Sequence, residues 1–268
     1  MIELFEQNER KIDRQSSKGN QLKWENDSIW YKADQTGYEG LAEYIVSHLL
    51  EKSTLQSEEF VLYDLEEIKY KSKIYRGARS QNLLKGDWQI VTLERLVKNF
   101  TGESLYKTIF QIREHENRMK YLVTLVERIT GLQGFGIYMS KLFTIDAFFL
   151  NEDRHMHNIA VLMNGAGEFA YCPIFDNGAA LLSDTTMDYP MEDDVYELMN
   201  EAESKTISFD FDELLDIAEA LYGDNLKFSF TRQEVHDLLE EAAIYTKEER
   251  DRVERIICAQ MNKYTYLF

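Results

Sequence analysis

Hydrophobic and polar positions change their period along this chain, and the change divides it. Up to about residue 88 the pattern predicts strands around a single helix. Residues 28–32 (SIWYK) form a short aromatic, β-prone run after a polar turn at Asn26-Asp27. Residues 37–50 place Leu41, Tyr44, Ile45, His48 and Leu49 on one face of a helix. Further strands are predicted at 60–63 (FVLY) and near 73–76 (KIYR).

From about residue 91 the apolar residues recur at three- and four-residue steps. This predicts helices near 92–99, 103–111, 114–130 and 136–150. The last of these is apolar on nearly every side, as in a helix buried at the core of a larger lobe. A polar stretch follows (NEDRHMHN), then two short strands (IAVLM and EFAYC) joined by a turn at Asn164-Gly165, then PIFDNG. The remainder, from about 193 to 267, reads as helical. The expectation is a small strand-rich lobe over residues 1–88 and a large helical lobe over 89–268, the latter carrying the polar motifs.

Composition narrows the class. Of 268 residues, 44% are hydrophobic and 13% aromatic, enough for a packed core. With only two prolines, Pro173 and Pro190, little interrupts long helices. A net charge of −18 argues against nucleic acid as a partner, because such binding draws its affinity from Lys and Arg on phosphates. Cys172 and Cys258 form no CxxC or zinc spacing and read as reduced, buried side chains. No run reaches the roughly 18 apolar residues of a bilayer span, and the charged start MIELFEQNERKIDRQ is no signal peptide. The expected location is cytoplasmic, with no membrane partner.

The chemistry concentrates around Asp153. Asn158 follows it after four intervening residues, the spacing by which protein kinases place a base for the attacking hydroxyl and a magnesium-holding amide. Asp176 lies beyond the predicted hairpin, which returns the chain toward its start, and Asp176-Asn177-Gly178 reads as a D-x-G turn. Amide and carboxylate oxygens suit hard magnesium. Lys32 shares its strand face with Trp30, and kinases use such a lysine to grip nucleotide phosphates, held by a helix glutamate. Glu43 and Glu39, one turn apart, are the candidates, with Glu43 favoured. Ser16-Ser17-Lys18-Gly19 could bring backbone N–H groups to phosphates, with Ser17 and Gly19 as nucleotide contacts, although one glycine makes a poor loop and a plain turn fits as well. A zinc hydrolase built on Asp153, His155 and His157 is a weaker rival, since His48, His115 and His236 supply no HExxH.

Together WYK, the AEY of the next helix, LNEDRHMHNIAVL and CPIFDNGAALL resemble the HipA-like serine/threonine kinases, of the short, CtkA-like type without the extra N-terminal subdomain. The resemblance spans roughly residues 10–265. It implies an α+β, two-lobed protein-kinase-like fold and an ATP- and Mg2+-dependent transfer of the γ-phosphoryl to a Ser/Thr hydroxyl of a protein substrate. It makes Lys32 the phosphate ligand paired with Glu43, Asp153 the catalytic base, and Asn158 and Asp176 the magnesium ligands. His155 would support the loop, and the adenine connection would fall near residues 79–83. Asn151-Glu152-Asp153 replaces the usual HRD triplet, as this family does too. Ser16 and Ser17 stand where full HipA proteins autophosphorylate. Those proteins act as toxins paired with a DNA-binding antitoxin, so an antitoxin-like partner is implied as well. Two alternatives stay open. One is a nucleotide-binding pseudokinase or interaction module, for which the poor glycine loop argues. The other is a small-molecule or lipid kinase with nearly the same catalytic residues.

Overall fold

The computed structural model describes residues 1–10 and 21–268. The candidates Ser16, Ser17, Lys18 and Gly19 lie outside the described residues. In chain order the elements are β1 (Ile2–Glu3), β2 (Lys23–Asn26), β3 (Ile29–Ala33), α1 (Glu39–Leu50), β4 (Tyr63–Tyr70), β5 (Lys73–Gln81), β6 (Gln89–Thr92), α2 (Leu93–Thr101), α3 (Leu105–Gln111), α4 (His115–Thr130), α5 (Phe135–Phe149), β7 (Ala160–Met163), β8 (Phe169–Tyr171), α6 (Val195–Glu201), α7 (Phe211–Tyr222), α8 (Arg232–Glu241) and α9 (Lys247–Lys263). They fall into two compact units. One comprises residues 1–83, 175–202 and 227–268; the other comprises 84–174 and 203–226.

In the first unit five strands form one sheet in the order β1-β4-β5-β3-β2, antiparallel except where β1 meets β4. Both hairpins turn on two residues with positive φ, Asp27-Ser28 and Lys71-Ser72. Such turns match the right-handed twist of the strands they join. Strand side chains alternate between faces. One face carries Trp24, Tyr31, Ala33, Ile68 and Tyr70, which cluster with Leu4. The other carries Lys32, Tyr63 and Ala78; Tyr63 and Ala78 pack with Val61, Leu83 and Phe175. Helix α1 is buried along nearly its whole length.

The strand expected at 60–63 is instead β4, which begins at Tyr63 and runs to Tyr70. Its buried positions switch phase, from Tyr63 on one face to Ile68 and Tyr70 on the other, so no unbroken alternation marks it. The turn Lys71-Ser72 also lacks the Asn-Gly or Asp-Gly pair that signals a hairpin. The strand near 73–76 is the first part of β5, which continues to Gln81; residues 79–81 of the expected adenine connection are therefore strand.

In the second unit α5 supplies the core: Phe135, Phe143, Phe148 and Phe149 are fully buried. This is the helix whose sequence is apolar all round. Ser140 Oγ of α5 donates to the Gly223 carbonyl at 2.7 Å, tying it to the end of α7. Strands β6, β7 and β8 form a small antiparallel sheet. Among the described residues no helix is long and apolar enough to cross a membrane.

Candidate active site

Within the first unit, Lys32 on β3 sits between two carboxylates. Its Nζ lies 2.5 Å from Glu43 Oε1 and 2.7 Å from Asp176 Oδ1, and 5.1 Å from the centroid of the Tyr63 ring. Glu43 accepts a second bond at its other oxygen, from the Asn177 backbone N–H at 2.9 Å. The side chain of Glu43 is 2% exposed and that of Asp176 is 27% exposed. The first carboxylate is therefore structural to the lysine, and the second reaches solvent. Burial pulls the Lys32 ammonium down, but the Asp176 and Glu43 carboxylates outweigh it and hold the group well above the ordinary lysine value. Lys32 is a fixed cation at any physiological pH.

Helix α1 delivers Glu43 by a close approach to the sheet. A Cβ at Gly40 would meet the Gly77 backbone and the Tyr245 hydroxyl at 2.6 Å each, so only glycine permits this separation. Glu39, the first residue of the helix, bonds elsewhere. Its carboxylate accepts the backbone N–H groups of Gln35, Thr36 and Gly37 and the Thr36 hydroxyl. It anchors the turn that leads into α1.

Asp176 has φ +63°, the left-handed region uncommon for a side chain larger than glycine. Such conformations cost roughly 1–3 kcal/mol and persist where surrounding contacts impose them, often at functional sites.

Within the second unit, the loop 151–158 leaves α5 through Leu150, itself at φ +54°. Asn158 Nδ2 donates to the Asp153 backbone carbonyl at 2.7 Å and to Asp153 Oδ2 at 3.0 Å. With the amide nitrogen used toward Asp153, the amide oxygen is the atom available for a cation. His155 Nε2 lies 3.6 Å from Asp153 Oδ1, and His155 Nδ1 accepts the His157 backbone N–H at 3.2 Å. The His155 and His157 rings meet edge-on at 5.6 Å. Among the described residues no group of three or more His, Cys, Asp or Glu side chains gathers to hold a metal. Asp176 in the first unit and Asn158 in the second each offer an oxygen donor of the kind magnesium takes. That ion keeps most of its waters and draws other ligands from phosphates.

Two residues that sequence reasoning passed over hold this loop. Arg154 Nε donates to both oxygens of Asp146 at 3.1 Å, with each side chain at most 2% exposed. Asn151 Nδ2 donates to the same carboxylate at 3.1 Å. Burial pushes the Asp146 carboxyl up to about 6 while Arg154 pulls against it. Thr206 Oγ1 donates to the Arg154 carbonyl at 2.5 Å, and the Leu93 and Glu94 backbone N–H groups close the loop onto Ile159 and Met156. The signal lay in the sequence: a lone carboxylate inside the most apolar helix of the chain needs a partner.

No protein-family model and no curated protein sequence matches this chain. Its fold is similar to that of the Helicobacter pylori proinflammatory kinase CtkA, with a TM-score of 0.57 at 13% identity over 91% of this chain and 88% of that one. A second match is the Shewanella oneidensis toxin–antitoxin protein HipA, solved with HipB and operator DNA. There the TM-score is 0.46 at 13% identity, over 90% of this chain and 59% of that one. The chain has the α+β, kinase-like fold that its sequence motifs predict.

Proposed function

We propose that this chain is an ATP- and magnesium-dependent phosphotransferase of the HipA-like serine/threonine kinase type, acting on a Ser or Thr hydroxyl of a protein. The observation that carries the reading is the part-buried Lys32 ammonium held between the buried Glu43 carboxylate and the partly exposed Asp176 carboxylate. A structural ion pair needs one carboxylate. The second, in a left-handed loop residue reaching solvent, suits a lysine and a carboxylate aimed at a polyanion and its cation.

Each residue then has a role. Lys32 binds nucleotide phosphate oxygens, and Glu43 keeps its ammonium in place. Asp176 supplies a carboxylate oxygen to magnesium, and Asn158 an amide oxygen. Asp153 accepts or orients the proton of the acceptor hydroxyl. The Asn158 amide nitrogen fixes the Asp153 carboxylate, and His155 supports it from the other oxygen. Bound ATP would supply the γ-phosphoryl group, and magnesium held by these residues would offset the charge on its phosphate oxygens. Positioning and charge neutralisation account for most of the rate in such a reaction.

Incubation with labelled ATP and magnesium tests the proposal. Label on the protein or on an added substrate protein is expected. Asp153→Asn is expected to lose about 10²–10⁴-fold in transfer while retaining nucleotide binding. Asp176→Asn is expected to weaken binding of magnesium–ATP itself. ATP binding without transfer under any condition would make the chain a binding module instead. Transfer at the wild-type rate in Asp153→Asn would remove the base role from that residue.

A further inference from the structure

The loop that begins at Asp176 holds three non-glycine residues in the left-handed region: Asp176 at φ +63°, Leu181 at +58° and Leu182 at +55°. Each is unfavourable for an L-residue by roughly 1–2 kcal/mol. A segment so strained keeps its shape only if something outside it supplies the restraint. Its internal bonds include Ala180 N–H to the Asn177 carbonyl, Ser183 N–H to the Ala180 carbonyl, and Ser183 Oγ to the Gly178 carbonyl at 2.6 Å.

The outside restraint centres on Tyr38, the residue immediately before α1, whose side chain is fully buried. Its hydroxyl donates to the Leu181 carbonyl at 2.7 Å, in the middle of the left-handed pair. Its backbone N–H donates to the Ser183 carbonyl at 3.1 Å. Gly37 pairs with Asp184 as an antiparallel bridge, and Thr186 N–H donates to the Thr36 carbonyl. A Cβ at Gly37 would lie 1.9 Å from the Ser183 carbonyl oxygen, so the two strands of chain touch as closely as backbones can. The Arg252 guanidinium of α9, 1% exposed, lies beside the Tyr38 hydroxyl and donates to the Pro190 and Tyr189 carbonyls at 2.9 and 3.1 Å. Tyr38 thus stands where the entry to α1, the Asp176 loop and α9 meet.

We infer that Tyr38, backed by Arg252, is a positioning residue for the cation-binding carboxylate: it clasps the Asp176 loop to the start of α1, five residues before Glu43. Tyr38 touches neither nucleotide nor metal in this role. It acts by fixing the Leu181 carbonyl, and through it the backbone that sets the direction of Asp176 and the Asn177 N–H bond to Glu43. The functional half of the inference rests on the phosphotransfer reading above. The geometric half does not.

Tyr38→Phe is the direct test, because it keeps the ring and removes only the hydroxyl, which donates to Leu181 and lies against Arg252. The lost bond leaves a buried carbonyl unpaired, a penalty that corresponds to about tenfold in a local equilibrium. Amide hydrogen exchange of the ligand-free protein is expected to quicken about tenfold in the peptide spanning residues 177–184, with β3 and β5 unchanged. The affinity for a non-hydrolysable ATP analogue, measured calorimetrically, is expected to fall about tenfold with magnesium and to stay within about twofold in EDTA. Arg252→Met should reproduce the exchange pattern; Arg252→Lys should restore part of it. Unchanged exchange at 177–184 in Tyr38→Phe would overturn the clasp. Equal losses of affinity with and without magnesium would overturn the positioning role. A wild-type protein whose nucleotide affinity ignores magnesium would instead overturn the phosphotransfer reading, with the exchange arm still deciding the clasp.

Discussion

Glu43 on α1 accepts the backbone N–H of Asn177, a residue 134 positions later, at 2.9 Å while its other oxygen holds Lys32. One carboxylate therefore fixes both the lysine and the loop that carries Asp176. Glu43 is buried and Lys32 part-buried, so the pair's members depend on each other more than surface charges do.

Lys32→Met is accordingly expected to destabilise the protein by about 3–5 kcal/mol, since it leaves the Glu43 carboxylate buried without its cation. The double variant Lys32→Met/Glu43→Leu should lose less than the sum of the single changes, because both charges go together. Urea unfolding of the four proteins measures the coupling. Simple additivity would show that the pair is energetically independent.

Asp146→Ala should cost a similar amount, about 3–5 kcal/mol, by stranding the Arg154 guanidinium in the core. Asp146→Asn should cost less, as the amide oxygen can still accept from Arg154. The same unfolding measurement ranks them. The loop 151–158 should become the preferred site of limited proteolysis in Asp146→Ala, with the cleavage sites identified by mass spectrometry.

Gly40→Ala adds a methyl group 2.6 Å from the Gly77 backbone, where no flexible side chain can give way. A loss of about 1–3 kcal/mol is expected from overpacking, together with weaker nucleotide binding as α1 and Glu43 shift outward. Thermal unfolding and nucleotide titration read the two effects separately.

Asp34 predicts a pH dependence. Burial, with Glu39 adding to it, pushes its carboxyl up to about 7; the Gly40 N–H, the Tyr245 hydroxyl and Arg76 act in the opposite direction. Arg76 is itself held by two bonds to Glu249 on α9. An unfolded aspartate titrates near 3.9. Between about pH 4 and pH 7 the folded state therefore binds more protons at this group, and stability falls as pH rises through that window. A carboxyl that titrates one pH unit higher when folded than when unfolded changes stability by about 1.4 kcal/mol across its window. Asp34→Asn should remove this contribution. Wild type minus variant, by denaturant titration at pH 5 and pH 8, should be less favourable to the wild type at pH 8. A difference independent of pH would show that Asp34 ionises normally in the folded protein.

The sequence made the helical part legible because apolar spacing is a local property: α2, α3, α4 and α5 lie within one or two residues of the expected spans. Strands were less legible. β4 changes its buried face midway, and β2 and β6 are four residues each, too short for period two to declare itself. At the candidate site the order of residue types could be read, from Lys32 to Asp153, Asn158 and Asp176. Two glutamates one helical turn apart could not be separated with certainty by spacing, because they share a face. Tyr38, Arg154 and Arg252 were invisible as supporting residues, since each looks ordinary in its own segment, whereas Asp146 stands out as the lone carboxylate of an apolar helix.

By itself the sequence determined the helices, the polar loop after the apolar helix, and the candidate side chains for the chemistry, all of which follow from neighbours a few positions apart. Only the tertiary structure decided that Lys32 would meet Asp176, 144 positions later, that Glu43 rather than Glu39 would complete the pair, and that Tyr38 would brace the loop. The physical reason is that burial makes charges and backbone carbonyls choose partners from whatever the fold brings near them. That choice depends on how distant segments pack, which no local period records.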